Sequence, residues 1–153
     1  MGLFDALAIS ASGLTAERLR LDVIATNLAN VETTRTATGG PFRRREVVFA
    51  AQPPTFPVDL ANSTGSSGTL APGHPALGGV QVAAIVTDPA PFRLVYQPGH
   101  PDADVNGYVA YPNINPASEM VDMIAASRAY EANLAIFQST KQLAARTLDL
   151  LRA

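Results

Sequence analysis

The sequence predicts a mainly α chain with a small β region: long N- and C-terminal helices paired as a coiled coil, and short strands and loops between them. Three observations carry this. Apolar residues recur at seven-residue spacing near both ends. Neither of those stretches has a proline in its interior. Pro, Gly, Ser and Thr concentrate in the middle, 16 of them among the 28 residues of 52–79. With 153 residues, 47% hydrophobic and 16% charged, the composition is that of a folding chain, one domain or one elongated subunit in size.

The first helix is expected over residues 3–31, a rod of roughly 43 Å. Leu7, Leu14, Leu21 and Leu28 form one column. Ser10, Glu17, Ile24 and Val31, three residues further on, form a second that is only half apolar. Leu3, Ala11, Val23 and Ala25 broaden the stripe. Gly13 is tolerable inside a long helix.

The second helix is expected from Pro116 onwards, roughly 50 Å long. Asn115 can cap it and Pro116 suits its first turn. Met120, Ser127, Leu134, Lys141 and Leu148 make one column; Met123, Tyr130, Phe137, Ala144 and Leu151 make the other. Such seams are the core of a helix pair. The many flanking alanines leave small, weakly apolar surfaces suited to packing against further helices. The pair therefore reads as unfinished alone and complete in an assembly, and each seam is interrupted by polar residues, so isolated helices are expected to be marginal.

This divides the chain into a terminal helical unit, 1–31 plus 114–153, and a loop and small β region, 32–113, with a flexible segment near 61–79. Strand candidates are 46–50, 80–87, 92–97 and 108–111, joined as a small antiparallel sheet. Asp88-Pro89-Ala90-Pro91 reads as the turn between the second and third.

Composition narrows function. Lys+Arg 11 against Asp+Glu 13 gives net −2, which argues against general capture of nucleic acid. The absence of cysteine removes disulfides, thiolate metal sites and cysteine nucleophiles. No apolar run approaches the roughly 20 residues of a membrane span. The start, Met1-Gly2-Leu3-Phe4-Asp5-Ala6, lacks the basic region of a cleaved secretory signal, so any export is expected to proceed without cleavage.

Candidate sites are few. Asp102-Ala103-Asp104-Val105-Asn106-Gly107 matches the first half of a calcium loop. The twelfth position, which needs a bidentate carboxylate, is Asn113, and the flanks are not helical, so a turn with local Asx bonds is the stronger reading. His74 and His100 each stand alone between Gly and Pro, without a second ligand at helical spacing. Arg43-Arg44-Arg45, followed by Glu46, is the single cationic run and reads as a solvated or interface face. No residue set has both the chemistry and the spacing of a catalytic site. An enzyme, a cofactor site and a metal site are not expected.

Residues 9–34, including Leu21-Asp22-Val23-Ile24-Ala25-Thr26-Asn27-Leu28-Ala29-Asn30-Val31-Glu32-Thr33-Thr34, closely resemble the N-terminal signature of bacterial flagellar rod and hook proteins. Asn113-Ile114-Asn115-Pro116 and Glu119-Met120-Val121-Asp122-Met123-Ile124-Ala125-Ala126-Ser127-Arg128-Ala129-Tyr130-Glu131-Ala132-Asn133-Leu134 resemble the C-terminal one. The length is far short of the distal rod and hook members, and Gly39-Gly40-Pro41-Phe42-Arg43-Arg44-Arg45 and residues 100–112 resemble the proximal-rod members of that family more than another short rod component. The resemblance implies a structural subunit of the proximal rod, assembling helically with itself and other rod proteins to transmit torque across the periplasm. It implies export by the flagellar type III apparatus, with no nucleic-acid partner and no membrane-embedded part. The assembly interface it suggests is Leu7, Leu14, Leu21, Ile24, Asn27, Leu28 and Asn30 on the first helix. On the second it is Met120, Met123, Tyr130, Leu134, Phe137, Leu148 and Leu151. A calcium-binding secreted module on Asp102, Asp104 and Asn106 is the competing reading from another class.

Overall fold

The computed structural model describes residues 3–52 and 78–152. The expected flexible segment near 61–79 falls almost wholly outside them. In chain order the elements are α1 (Leu3–Ala29), β1 (Arg45–Ala51), β2 (Val80–Thr87), β3 (Arg93–Tyr96), β4 (Tyr108–Tyr111) and α2 (Pro116–Arg152).

α1 stops because Asn30 closes it. The Asn30 backbone N–H donates to Thr26 O and Asn27 O, each at 3.2 Å, and its side-chain amide donates to Thr26 O at 2.9 Å. Carbonyls at the end of a helix lack intrahelical partners, and this amide supplies one. α2 starts as its sequence implies. Asn115 Oδ1 accepts the Ala117 N–H at 3.0 Å, and Pro116 occupies the first helical position, where no N–H is required.

The helices pack against each other and run antiparallel. Asn27 meets Glu119, and fourteen residues back along α1 Gly13 lies against Asn133, fourteen residues further along α2. The same register sets Leu3 level with Leu143, so the last turns of α2 extend beyond α1, and Leu148 there is 63% exposed.

The inward columns differ from the periodic expectation in one respect. On α2 the column of Met123, Tyr130, Phe137 and Ala144 faces inward, half-buried throughout. Its companion is Glu119, Ala126, Asn133 and Thr140, one residue before the expected column. Met120 and Lys141 of that expected column are exposed. On α1 the buried residues are Ser10, Ala16, Val23, Ile24 and Asn27, while Leu7, Leu14, Leu21 and Leu28 are all half-buried. The reason is size. The separation of packed helices depends on the side chains at the contact. Gly13 and the fully buried Ala126 let the backbones come close, which moves the leucines to the flanks.

The β region forms two separate antiparallel ribbons rather than one sheet. β1 pairs with β2 from Arg45↔Thr87 to Ala51↔Val80, with a bulge between Val48 and Phe49. β3 pairs with β4 from Arg93↔Tyr111 to Tyr96↔Tyr108. Pro89 and Pro91 between the ribbons lack the N–H a continuous ladder needs. Arg43 Nη1 donates to Asp88 O and Ala90 O at 3.2 and 3.3 Å and holds the bend. The first ribbon lies along α1, where Val80 N–H donates to Ser12 Oγ at 3.0 Å. Gly79 is required there, because a Cβ would collide with the Ser12 hydroxyl.

Candidate functional site

The two terminal stretches and the central strand converge at one buried junction. Asn27, near the end of α1, is 1% exposed, and so is Glu119, one turn into α2. Buried Asn and Glu are rare unless their hydrogen bonds are met, and here they are. The Asn27 amide donates to Arg45 O at 2.8 Å and to Glu119 Oε2 at 3.1 Å, and its Oδ1 accepts the Arg45 N–H at 2.9 Å. Asn27 thus grips the Arg45 backbone as a neighbouring strand would.

The remaining Glu119 oxygen, Oε1, accepts Arg44 Nε at 2.5 Å. Arg44 Nη2 lies 3.6 Å from Asp122 and Nη1 lies 3.5 Å from Glu46. The hydrogen bond that Arg44 donates to Glu119 pushes the Arg44 pKa above its ordinary value, against a smaller opposing effect of burial. Arg44 is therefore charged at every pH compatible with a folded protein. Glu119 also sits in the first turns of α2, where a negative charge is favoured by the helix dipole.

The cationic run divides. Arg44 turns inward, Arg43 stacks over the Phe92 ring at 4.4 Å, and Arg45 lies over Phe42 at 5.6 Å. Reading all three arginines together as a solvated or interface face did not separate these roles. Alternation along an entering strand was the available signal, because β1 begins at Arg45.

The calcium-like loop closes on itself. Asp102 accepts the Thr34 hydroxyl at 2.8 Å and lies 3.8 Å from Arg35. Asp104 Oδ1 accepts the Val105 N–H at 2.7 Å, and the Asp104 backbone bonds both Gly107 and Tyr108. Gly107 turns the chain at φ +77°. The two carboxylates thus serve different partners, and among the described residues no three His, Asp or Glu come together as a metal would need. His100 Nδ1 accepts the Asp102 N–H at 3.1 Å.

Of the residues expected at an assembly interface, Ile24 and Asn27 are buried within the subunit. Leu7, Leu14, Leu21, Leu28, Asn30, Met123, Tyr130, Leu134 and Phe137 are half-buried, and Met120 and Leu148 are exposed. The Leu151 side chain lies outside the described set. Val121, Ile124, Ile136 and Leu143, which lie off the seam expected from the sequence, add an exposed apolar surface to α2. No described helix is long and apolar enough to cross a membrane.

Comparison with known proteins matches both ends of the chain. A family model described as "Flagella basal body rod protein" matches residues 7–35, and one described as "Flagellar basal body rod FlgEFG protein C-terminal" matches residues 105–150. The chain is similar to the flagellar basal-body rod protein FlgC of Borreliella burgdorferi, 44% identical over 99% of each chain. It is similar to FlgC of Bacillus subtilis, 39% identical over 98% of this chain and 99% of the relative. It is also similar to FlgC of Salmonella typhimurium, 40% identical over 98% of each.

Proposed function

The chain belongs to the FlgC family of flagellar basal-body rod proteins, structural subunits of the rod, and from that premise we propose that it builds the proximal rod and carries torque through it. The observation that carries this is the junction itself. The segments matched by the two rod families sit at opposite ends of the sequence, and Asn27 and Glu119 tie them together in one subunit.

In this reading residues 1–31 and 114–153 form one unit, a helix pair supercoiled as a coiled coil, and 32–113 form an outer region. The half-buried and exposed members of the seams, from Leu7 to Leu28 and from Met120 to Leu148, meet neighbouring subunits, and Leu151 is assigned to the same surface from the sequence. Ile24 and Asn27 hold the subunit together instead. The exposed apolar residues of α2 support this, because a monomer gains nothing from them. Small exposed residues on α1 (Ala8, Ala11, Ala25, Ala29) allow other helices to approach closely. Subunits related by a screw operation use heterologous contacts, which do not close and so build a rod. Sharing load among many such contacts suits torque transmission across the periplasm. The chain reaches that place through the flagellar type III apparatus and acts on no substrate.

Deleting the gene in the source bacterium tests this reading. The account expects non-motile cells whose basal bodies lack a completed rod, restored by the wild-type gene but not by Leu134→Asp. Mass spectrometry of restored basal bodies is expected to recover this chain. Motile deletion cells with complete rods would overturn the assignment.

A further inference from the structure

Both partners of the buried Glu119 carboxylate depend on the same two consecutive residues. Its counter-charge is Arg44, through Nε. Its other donor is the Asn27 amide, which the Arg45 backbone holds in place with two hydrogen bonds. Arg44 is in turn anchored to the first ribbon, because its carbonyl accepts the Asp88 N–H at 2.8 Å just past the end of β2. Nearby cations have other roles. Arg20 pairs with Glu17 at 3.8 Å, and Arg45 lies over Phe42.

We propose that Arg44 is a latch: α1 and α2 pair in their native register only when the β1–β2 ribbon has docked and delivered this guanidinium to Glu119. Without it, closing the helices would bury a carboxylate with no counter-charge, and removing one member of a buried ion pair is costly. The rest of the seam offsets only part of that cost, because Met123, Tyr130 and Phe137 of the neighbouring column stay half-buried. The column shared by Glu119 continues as Ala126, Asn133 and Thr140, which bury little apolar surface. The leucines that would add surface lie on the flanks. Pairing of the chain's two ends is thereby made conditional on a strand from its middle, so a chain with an undocked ribbon does not present a finished helix pair. The inference concerns a single chain and goes beyond the rod assignment, whose failure would leave it standing.

The chain has no cysteine, so introduced cysteines report without background. A Cβ at Gly13 would lie 3.3 Å from Asn133 Cγ, the place a cysteine Sγ would take, so an introduced pair is within reach of a disulfide. The full-length Gly13→Cys/Asn133→Cys chain is expected to oxidise readily. Adding Arg44→Met should slow cross-linking about tenfold or more, because Glu119 is left unpaired. Adding Glu119→Met as well should restore the rate to within about twofold, because an apolar pair of similar volume can replace a buried ion pair. Arg18→Met, at an exposed α1 position away from the junction, should leave the rate unchanged. Cross-linking of the Arg44→Met chain at the parent rate would overturn the proposal, as would a double variant as slow as the single. The same variants without cysteines, followed by amide hydrogen exchange over residues 120–133, give an independent readout. Exchange should be fast in Arg44→Met alone, and equal exchange in parent, single and double variants would overturn the latch.

Discussion

Asn27 and Glu119 stand 92 positions apart in the sequence and meet at 3.1 Å, each 1% exposed. One contact thus fixes the register of the terminal helices and, through Arg45, the entry of the central strand. A buried polar pair of this kind sets alignment, because a shifted register would leave each group without its partner.

Asn27→Ala removes three hydrogen bonds and leaves the Arg45 N–H, the Arg45 carbonyl and one Glu119 oxygen short of partners. Its expected cost is about 2–4 kcal/mol. Asn30→Ala, which loses the capping bond to Thr26 O and the bond accepted from the Thr33 hydroxyl, both near the surface, should cost about 1 kcal/mol. Urea unfolding of the purified subunits, followed by far-UV circular dichroism, ranks them. Equal costs would contradict the separate roles of the two asparagines.

The shifted α2 column makes a second comparison. Ala126 is 0% exposed, and Ala126→Leu should cost about 1–3 kcal/mol through overpacking. Met120 is 49% exposed, and Met120→Gln should change subunit stability by less than about 0.5 kcal/mol. Thermal melts of the two variants decide which column faces α1. If Met120→Gln proves the more damaging, the column first expected from the sequence is the inward one.

Gly107 adopts φ +77°, and an added Cβ would lie 2.9 Å from the Tyr96 ring. Gly107→Ala should therefore cost about 1–3 kcal/mol. The damage should appear as faster amide exchange in β3 and β4, with α1 and α2 unaffected. Uniform acceleration across the chain would show that this ribbon supports the helices more than its contacts suggest.

Asp102 accepts the Thr34 hydroxyl at 2.8 Å and lies 3.8 Å from Arg35. Calorimetric titration with calcium should give no saturable heat, while Asp102→Ala should loosen the loop around residues 34–41 in hydrogen exchange. A saturable calcium signal abolished by Asp102→Ala would restore the competing metal reading.

Much of the framework was legible beforehand because local rules govern it. Heptad spacing places both helices, and Asn115-Pro116 marks the start of α2. Alternation and Pro punctuation place the four strands to within a residue or two of their observed ends. The junction was not legible, because it depends on tertiary placement. In the sequence Glu119 stands only as part of the C-terminal signature, Arg44 as one of three similar arginines, and Asn27 as an expected contact between subunits. The Met120 column was misplaced for a related reason. Apolar periodicity follows large side chains, whereas the line of closest helix approach is set by small ones such as Gly13 and Ala126.

The most direct test of the central claim is an electron cryo-microscopy reconstruction of the intact basal body from the source bacterium, at side-chain resolution. The account predicts this chain within the rod, with α1 and α2 antiparallel and Glu119 against Asn27 and Arg44. It also predicts that neighbouring subunits cover the surface of Val121, Ile124, Ile136 and Leu143. A rod without this chain, or one in which Asn27 and Glu119 lie apart, would contradict it.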